Sequence, residues 1–383
     1  MQPIYLDNSA TTALSAPSRA KMTEAMDCFG NPSSYHQLGR RSAALLTEAR
    51  EAIARSLGLR RLALGELVFT SCGSEANTLA LLGTAHAKAR RTTNRIITTD
   101  SEHPAVENVM QALEREGFEV IRISTRGGTL DMEQLDRALN DRVFMVSMMM
   151  VNNETGAMYD LKTVFSLART RSPAVITHTD AVQGYLKCRF TPASIGADLV
   201  TVSAHKVHGP KGVGALYINP ALIKAKQIVP WLLGGGQESG YRSGTEATPA
   251  IFGFAAACSA CTTTFREDIT REKALLNSLL EKLGTLPAVI INGAHEAPHI
   301  LSLSIPGVPT QNSINLLQDN HICVSAGSAC AKGHRSHTLE AMNVRPEIMD
   351  GSFRVSICRD TTEEDLEQLV GVIENQIIPR FVK

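Results

Sequence analysis

Between Leu67 and Ile218 the chain alternates short apolar, β-branched runs with amphipathic helical stretches, and this alternation restricts its fold more than any other feature. Strand-like runs fall at Leu67–Thr70, Arg95–Thr99, Glu119–Ser124, Val143–Met150, Val175–Thr179, Leu199–Ser203 and Gly214–Ile218. Helical patterns fall at Ser74–Arg91, Pro104–Glu116, Met132–Asn140 and Leu161–Arg171. Strands separated by helices make βαβ units, so the spacing predicts an α/β fold around a mostly parallel sheet. A helical stretch at Ser34–Leu57 precedes the sheet, and a long one from Pro249 through Leu283 leads out of it. Beyond it, Val289–Ile291, Ile300–Ser304, Ile322–Ser325, Phe353–Ser356 and a helix from Glu363 read as a smaller α+β unit. With 383 residues there is enough chain for two domains, and no repeat or low-complexity linker interrupts it.

The chemistry concentrates at one turn. The buried-looking run Asp198–Val202 feeds Ser203-Ala204-His205-Lys206-Val207-His208-Gly209-Pro210, which offers a hydroxyl, an imidazole and an amine at a strand's carboxyl end. In open α/β sheets ligands bind at that edge. An amine there can condense with an aldehyde, while Ser203 and His205 can hold a phosphate; pyridoxal 5'-phosphate needs both. One strand earlier, Ala174–Thr179 ends in Asp180, whose carboxylate can keep a pyridinium nitrogen protonated. Asp180 is equally suited to cap a helix. Gln183 follows within reach of the ring's phenolic oxygen. Gly73-Ser74, at a predicted helix start, offers backbone N–H groups and a hydroxyl to the phosphate.

Further segments carry a resemblance over nearly the whole chain. They include Tyr5–Thr12, Asn31–Ser34, Phe69–Ser71 with Gly73–Glu75, Glu102–Val106, Val151–Gly156, Gly234–Glu238, Arg242–Thr245 and Ser325–Ala331. Together with the lysine turn they resemble the cysteine desulfurases, the NifS/IscS-like group of the class-V aminotransferases. The resemblance implies the aspartate-aminotransferase-like fold (fold type I). Residues 15–255 would form the large cofactor-binding domain, and residues 1–14 with 256–383 the smaller one. It implies a homodimer that binds pyridoxal phosphate through Gly73, Ser74, His103, Asn153, Asp180, Gln183, Ser203, Ala204, His205 and Lys206. Thr245 would reach the phosphate from the neighbouring subunit. It further implies that His103 stacks on the ring and handles protons, and that Asn153 and Arg354 hold the substrate. Arg359 is a second candidate for the carboxylate.

Cys330 lies in Ser325–Gly333, small residues without hydrophobic period, where a thiol is expected to be exposed. The resemblance makes it the sulfur acceptor. L-cysteine would become L-alanine, with Lys206 moving the Cα proton, and the persulfide would pass to an acceptor protein for iron–sulfur cluster, thio-cofactor or tRNA biosynthesis. Selenocysteine is an alternative substrate. Another lyase or aminotransferase of the same fold, or a non-catalytic sulfur carrier, remain rival readings. Cys330, His334 and His337, with Cys323 nearby, also have ligand-like spacing, but a clear fourth ligand is missing; the expectation is no resident metal, at most a transient iron–sulfur contact. Cys258 and Cys261 form a CxxC inside a helical pattern and read as core. Three positions depart from the family pattern: Cys72 and Cys358 stand where glycine is common, and Glu246-Ala247 follow Thr245.

Composition narrows the setting. The 38 lysines and arginines balance 38 aspartates and glutamates, which argues against nucleic-acid capture. The N-terminus shows no secretory pattern and no apolar run reaches membrane-spanning length. Eight scattered cysteines do not make a disulfide framework, so the expected setting is cytoplasmic and reducing.

Overall fold

The computed structural model describes residues 3–88, 93–327 and 335–382. Its strands, in chain order, are β1 Ile4–Tyr5, β2 Leu67–Thr70, β3 Arg95–Thr99, β4 Glu119–Ile123, β5 Val143–Ser147, β6 Ile176–Asp180, β7 Leu199–Ser203, β8 Gly214–Ile218, β9 Ile290–Ile291, β10 Ile300–Ser304, β11 Ile322–Cys323 and β12 Ser352–Ser356. Among the described residues, β2 to β8 make one sheet in the order β2-β8-β7-β6-β5-β3-β4. Only β8 runs against its neighbours; the other pairs are parallel. This is the sheet that the alternation predicts.

Helices α1 Ala16–Met26, α2 Gln37–Ser56, α3 Gly73–Ala85, α4 Pro104–Arg115, α5 Met132–Ala138 and α6 Leu161–Arg171 accompany the sheet, and a long helix spans Thr248–Gly284. Helix α1 has no sequence forecast because it buries little: only Ser18 and Ala25 are inside, so no apolar stripe marks it. Ser15 starts it by accepting from the Ser18 N–H at 3.3 Å. It packs on the long helix at Gly253, where a Cβ would collide with Met22, and Ser18 Oγ donates to the Gly253 carbonyl at 2.9 Å. The apolar run after Val143 stays buried through Val151, but the β5 ladder ends at Ser147. Burial outlasts strand pairing there, which is why the sequence pattern overran it.

A second core gathers Leu6, the Leu275–Leu283 end of the long helix with Leu286 beyond it, β10, β12 and the helix Glu363–Val372. Here β10 pairs antiparallel with both β9 and β12. The N-terminal strand β1 lies parallel to β11. The chain then crosses β12, with Ser9 N–H donating to Ser356 Oγ at 2.8 Å, and reaches the lysine turn, where Thr12 N–H donates to the His205 carbonyl at 2.9 Å. Residues 4–13 therefore stitch the smaller sheet to the lysine-turn edge of the larger one.

Candidate active site

The carboxyl ends of β3, β5, β6 and β7 open onto one cavity of about 350 Å³, roughly the lower end of small-ligand sites. Lys206 enters it from the short helical turn after β7, donating from Nζ to the carbonyls of Ser9 at 2.5 Å and Ala10 at 2.7 Å. A neutral amine satisfies both bonds and keeps its lone pair. Burial lowers the Lys206 pKa from 10.5 to about 7, helped by Lys187 and Arg354 and opposed by Asp7 and Asp180.

Asp180 closes β6 and faces Lys206 across the cavity wall. Its Oδ2 accepts from Asn77 Nδ2 at 2.7 Å and its Oδ1 from the Val182 N–H at 2.9 Å. Both bonds fix the direction of the carboxylate. Gln183 donates from Nε2 to the Ser9 carbonyl at 2.9 Å, leaving Oε1 buried and unpartnered. At the other end, α3 begins at Gly73 with no side-chain cap from Cys72, so its first-turn N–H groups are left for an anion. A Cβ at Gly73 would stand 2.9 Å from Val182 Cγ2 and 3.5 Å from Ser203 Cβ, which is why glycine lets the helix start approach this closely. Ser74 and His205 line the same end, and Ser203 Oγ is buried there without a partner. Burial, then Lys206 and Lys211, lower the His205 pKa to about 4, so the ring is neutral at pH 7.

His103 caps α4, its Nδ1 accepting from the Ala105 N–H at 3.1 Å, and its exposed ring stands at the cavity mouth. Desolvation lowers its pKa first; Asp180 raises it and Lys206 lowers it further. Asn153 is positioned by an Asx turn in which Asn152 Oδ1 accepts from the N–H groups of Glu154 and Thr155. Arg354, on β12, is nearly buried: Nη1 donates to the Asn153 carbonyl and Nη2 to Asp7 Oδ1, both at 2.7 Å. Its Nε has no partner.

Other forecast residues fall elsewhere. Ala204 does not line the cavity; it is buried beneath, with its N–H committed to the Val213 carbonyl at 3.2 Å. Arg359 turns away, its Nη1 lying 3.8 Å from Cys261 Sγ. Thr245 is exposed and outside the cavity. Cys258 and Cys261 are buried in the long helix. Cys330 and His334 lie outside the described residues; Ser325 and Gly327, just before them, line the cavity, while His337 is exposed.

Sequence reasoning passed over Asp7, Ser9, Asn77 and Glu102. Asn77 was within reach of it, because it sits one turn after Gly73 on the same face of α3. Glu102 Oε1 accepts from Thr99 Oγ1 at 2.9 Å and the Met149 N–H at 2.8 Å, bracing the exits of β3 and β5. Burial raises its pKa to about 8. Asp7 and Ser9 are far away in sequence, and no local signal marks them.

The sequence profile of the class-V aminotransferases matches residues 4–369. The chain belongs to the class-V aminotransferase family. A cysteine desulfurase of Trichormus azollae is 35% identical over 388 residues, covering 100% of this chain and 94% of that protein. The cysteine desulfurase IscS of Vibrio vulnificus is 36% identical over 382 residues, covering 97% and 92%. A solved NifS-like protein superposes with a TM-score of 0.91 at 32% identity, covering 99% of this chain and all of that one. Another, from Rickettsia africae, has a TM-score of 0.86 at 31% identity over 97% of this chain and 99% of its own. The fold is the α/β fold type I of pyridoxal-phosphate enzymes, and the family's cofactor is pyridoxal 5'-phosphate. The cavity fits that group. Five buried polar atoms of residues on its wall, Ser9 Oγ, Asn77 Oδ1, Gln183 Oε1, Ser203 Oγ and Arg354 Nε, lack protein partners, and each such orphan costs about 1–3 kcal/mol until something satisfies it. The acid, the amine and the free helix start line one cavity, and as a donor set they suit a pyridinium nitrogen, an aldehyde and a phosphate.

Proposed function

We propose that this chain is a pyridoxal-phosphate-dependent cysteine desulfurase that converts L-cysteine to L-alanine and carries the released sulfur as a persulfide on Cys330. The convergence of Lys206, Asp180 and Arg354 on one cavity carries the reading. Bound there, the cofactor supplies an aldehyde for amine capture and a ring that withdraws electrons from the substrate's Cα. Asp180 holds the ring nitrogen protonated, and Asn77 keeps that carboxylate aimed. The α3 start, Ser74, Ser203 and His205 hold the phosphate, while Gln183 and Asn153 serve the ring oxygen. Lys206, about half of it neutral at pH 7, takes the proton from Cα and returns it. Arg354, preset by Asp7 and the Asn153 carbonyl, lines the cavity and offers its guanidinium to the substrate carboxylate. His103 stands over the mouth to stack on the ring and relay protons.

The sulfur step balances as L-cysteine plus the Cys330 thiol giving L-alanine plus the Cys330 persulfide. The Cβ–S bond breaks as the S–S bond forms, and Cβ keeps the electron pair and gains a proton. An aminotransferase or another lyase on this frame needs Lys206 and Asp180 but has no use for Cys330.

The active unit is a homodimer in which the partner's copy of the Thr245 segment completes the phosphate cup. The exposed apolar run Trp231-Leu232-Leu233, near that segment, supports this. Residues 15–255 act as the cofactor domain and residues 1–14 with 256–383 as the smaller one, in keeping with the second core. An acceptor protein takes the persulfide sulfur onward. The seven cysteines among the described residues are all free, which supports a reducing cytoplasm as the working compartment. Intact mass after brief exposure to L-cysteine, compared with Cys330→Ala, tests the activity. The expected result is one added sulfur on the parent only, with alanine in solution. Alanine without added sulfur, or no reaction by cofactor-loaded protein, overturns it.

A further inference from the structure

Behind the lysine turn lies a second group of ligand-type side chains that the desulfurase chemistry leaves unused. One ring nitrogen of His208, the Cys358 sulfur and a carboxylate oxygen of Asp360 all lie within 4.8 Å of one another. His208 and Cys358 are buried, and Asp360 opens the group to solvent. We propose that His208, Cys358 and Asp360 form a binding site for a thiophilic divalent cation of the zinc class.

Three details of the surroundings suit this. First, His208 Nδ1 lies 3.1 Å from the Ala13 carbonyl, an atom that can only accept. The proton is therefore on Nδ1, and Nε2 carries the lone pair that a metal needs; a ligating histidine is held in this way by its outer contact. Second, the loop that carries the sulfur is held by its own hydrogen bonds, the Cys358 N–H donating to Thr361 Oγ1 at 3.1 Å. The turn is closed by the Thr361 N–H to the Cys358 carbonyl at 3.0 Å, and so Cys358 and Asp360 project from one rigid loop. Third, Arg359 between them sets its Nη1 3.8 Å from Cys261 Sγ and so supplies no atom to the ligand set, while its charge and that of Lys187 bear on His208 and are opposed there by Asp360.

Sulfur, imidazole and carboxylate make a donor set for zinc rather than for magnesium or calcium. Zinc bonds of about 2.0–2.3 Å put neighbouring ligands roughly 3.5 Å apart, a closure that small side-chain rotations supply from the observed spacing. Water fills the fourth position on the Asp360 side. On binding, the Cys358 thiol loses its proton to solvent, and burial, which otherwise raises its pKa, no longer opposes the thiolate. The ion would tie the segment two residues past Lys206 to the chain leaving β12, the strand of Arg354. It would thus fasten the amine side of the cavity to the carboxylate side from behind.

The test uses cofactor-loaded full-length protein carrying Cys330→Ala, so that a site built on Cys330 with His334 and His337 contributes no thiolate band. Cobalt(II) is the probe, followed by its tetrahedral ligand-field bands and its thiolate charge-transfer band, with zinc added to displace it. The expected result is one tight equivalent with a thiolate band that zinc abolishes. Adding Cys358→Gly, the residue common at this position in the family, removes the band and weakens binding by at least about 100-fold. Asp360→Asn, at an exposed position, keeps the band and weakens binding about tenfold or more. Absence of the thiolate band, or a band and affinity unchanged by Cys358→Gly, overturns the site. Pyridoxal-phosphate absorbance in each variant verifies that it is folded.

Discussion

Lys206 is set to act as a neutral amine at physiological pH, and the size of that effect follows from its surroundings. A lysine of pKa 10.5 is neutral in roughly 3 molecules per 10,000 at pH 7, whereas Lys206, with its pKa lowered to about 7, is neutral in about half. The gain in nucleophile is about a thousandfold. Burial is the main cause, with the charges of Lys187 and Arg354 next. The assay is competitive acylation of the cofactor-free protein across pH, with Lys206 read by peptide mass spectrometry. Labelling should rise to a plateau with its midpoint near pH 7. Arg354→Gln removes an opposing positive charge, so its midpoint should move up. The linkage has a definite sign. Between about pH 7 and 10.5 the unfolded chain holds a proton that the folded chain has released, so cofactor-free stability rises with pH through that window. A labelling midpoint near 10.5, or one that Arg354→Gln lowers, would refute the reasoning.

Two further outcomes follow from the same geometry. Arg354→Lys cannot hold Asp7, the Asn153 carbonyl and a substrate carboxylate together, so the KM for L-cysteine should rise about tenfold to a hundredfold, with a smaller change in kcat; steady-state kinetics check this. Gly73→Ala puts a methyl 2.9 Å from Val182 Cγ2 at the helix start, so the Kd for pyridoxal phosphate should rise about tenfold in a fluorescence titration, and an unchanged Kd would count against Gly73 as part of the phosphate cup.

Much of this protein was legible because its chemistry sits at predictable places on a regular frame. Each strand of the large sheet declares itself by a short apolar run, and the strands' carboxyl ends and the turns that leave them carry Asp180, Lys206 and His103. Once the alternation implies a parallel sheet, those residues must share one edge, since parallel strands all end on the same side. Gly73 could be read for the same reason: a small residue opening a helix beside that edge is available to an anion. The smaller sheet was visible as apolar runs, but its contribution of Arg354 rested on resemblance, since an arginine within a strand pattern has no periodicity of its own to mark it.

What the chain could not state locally are the contacts between segments hundreds of residues apart. Asp7 becomes the partner of Arg354, and Ser9 the partner of Lys206 and Gln183, only because residues 4–13 cross from β11 and β12 to the lysine turn. The shift in the Lys206 pKa belongs to that enclosure and not to the motif around it. The cluster of His208, Cys358 and Asp360 likewise exists only after the two cores have packed together. The sequence by itself determined the sheet, its ligand edge and the reactive groups presented there, because each is encoded within a few residues. The tertiary structure alone decided their charge states, their aim and the second ligand cluster, because burial and through-space pairing have no signature in local sequence.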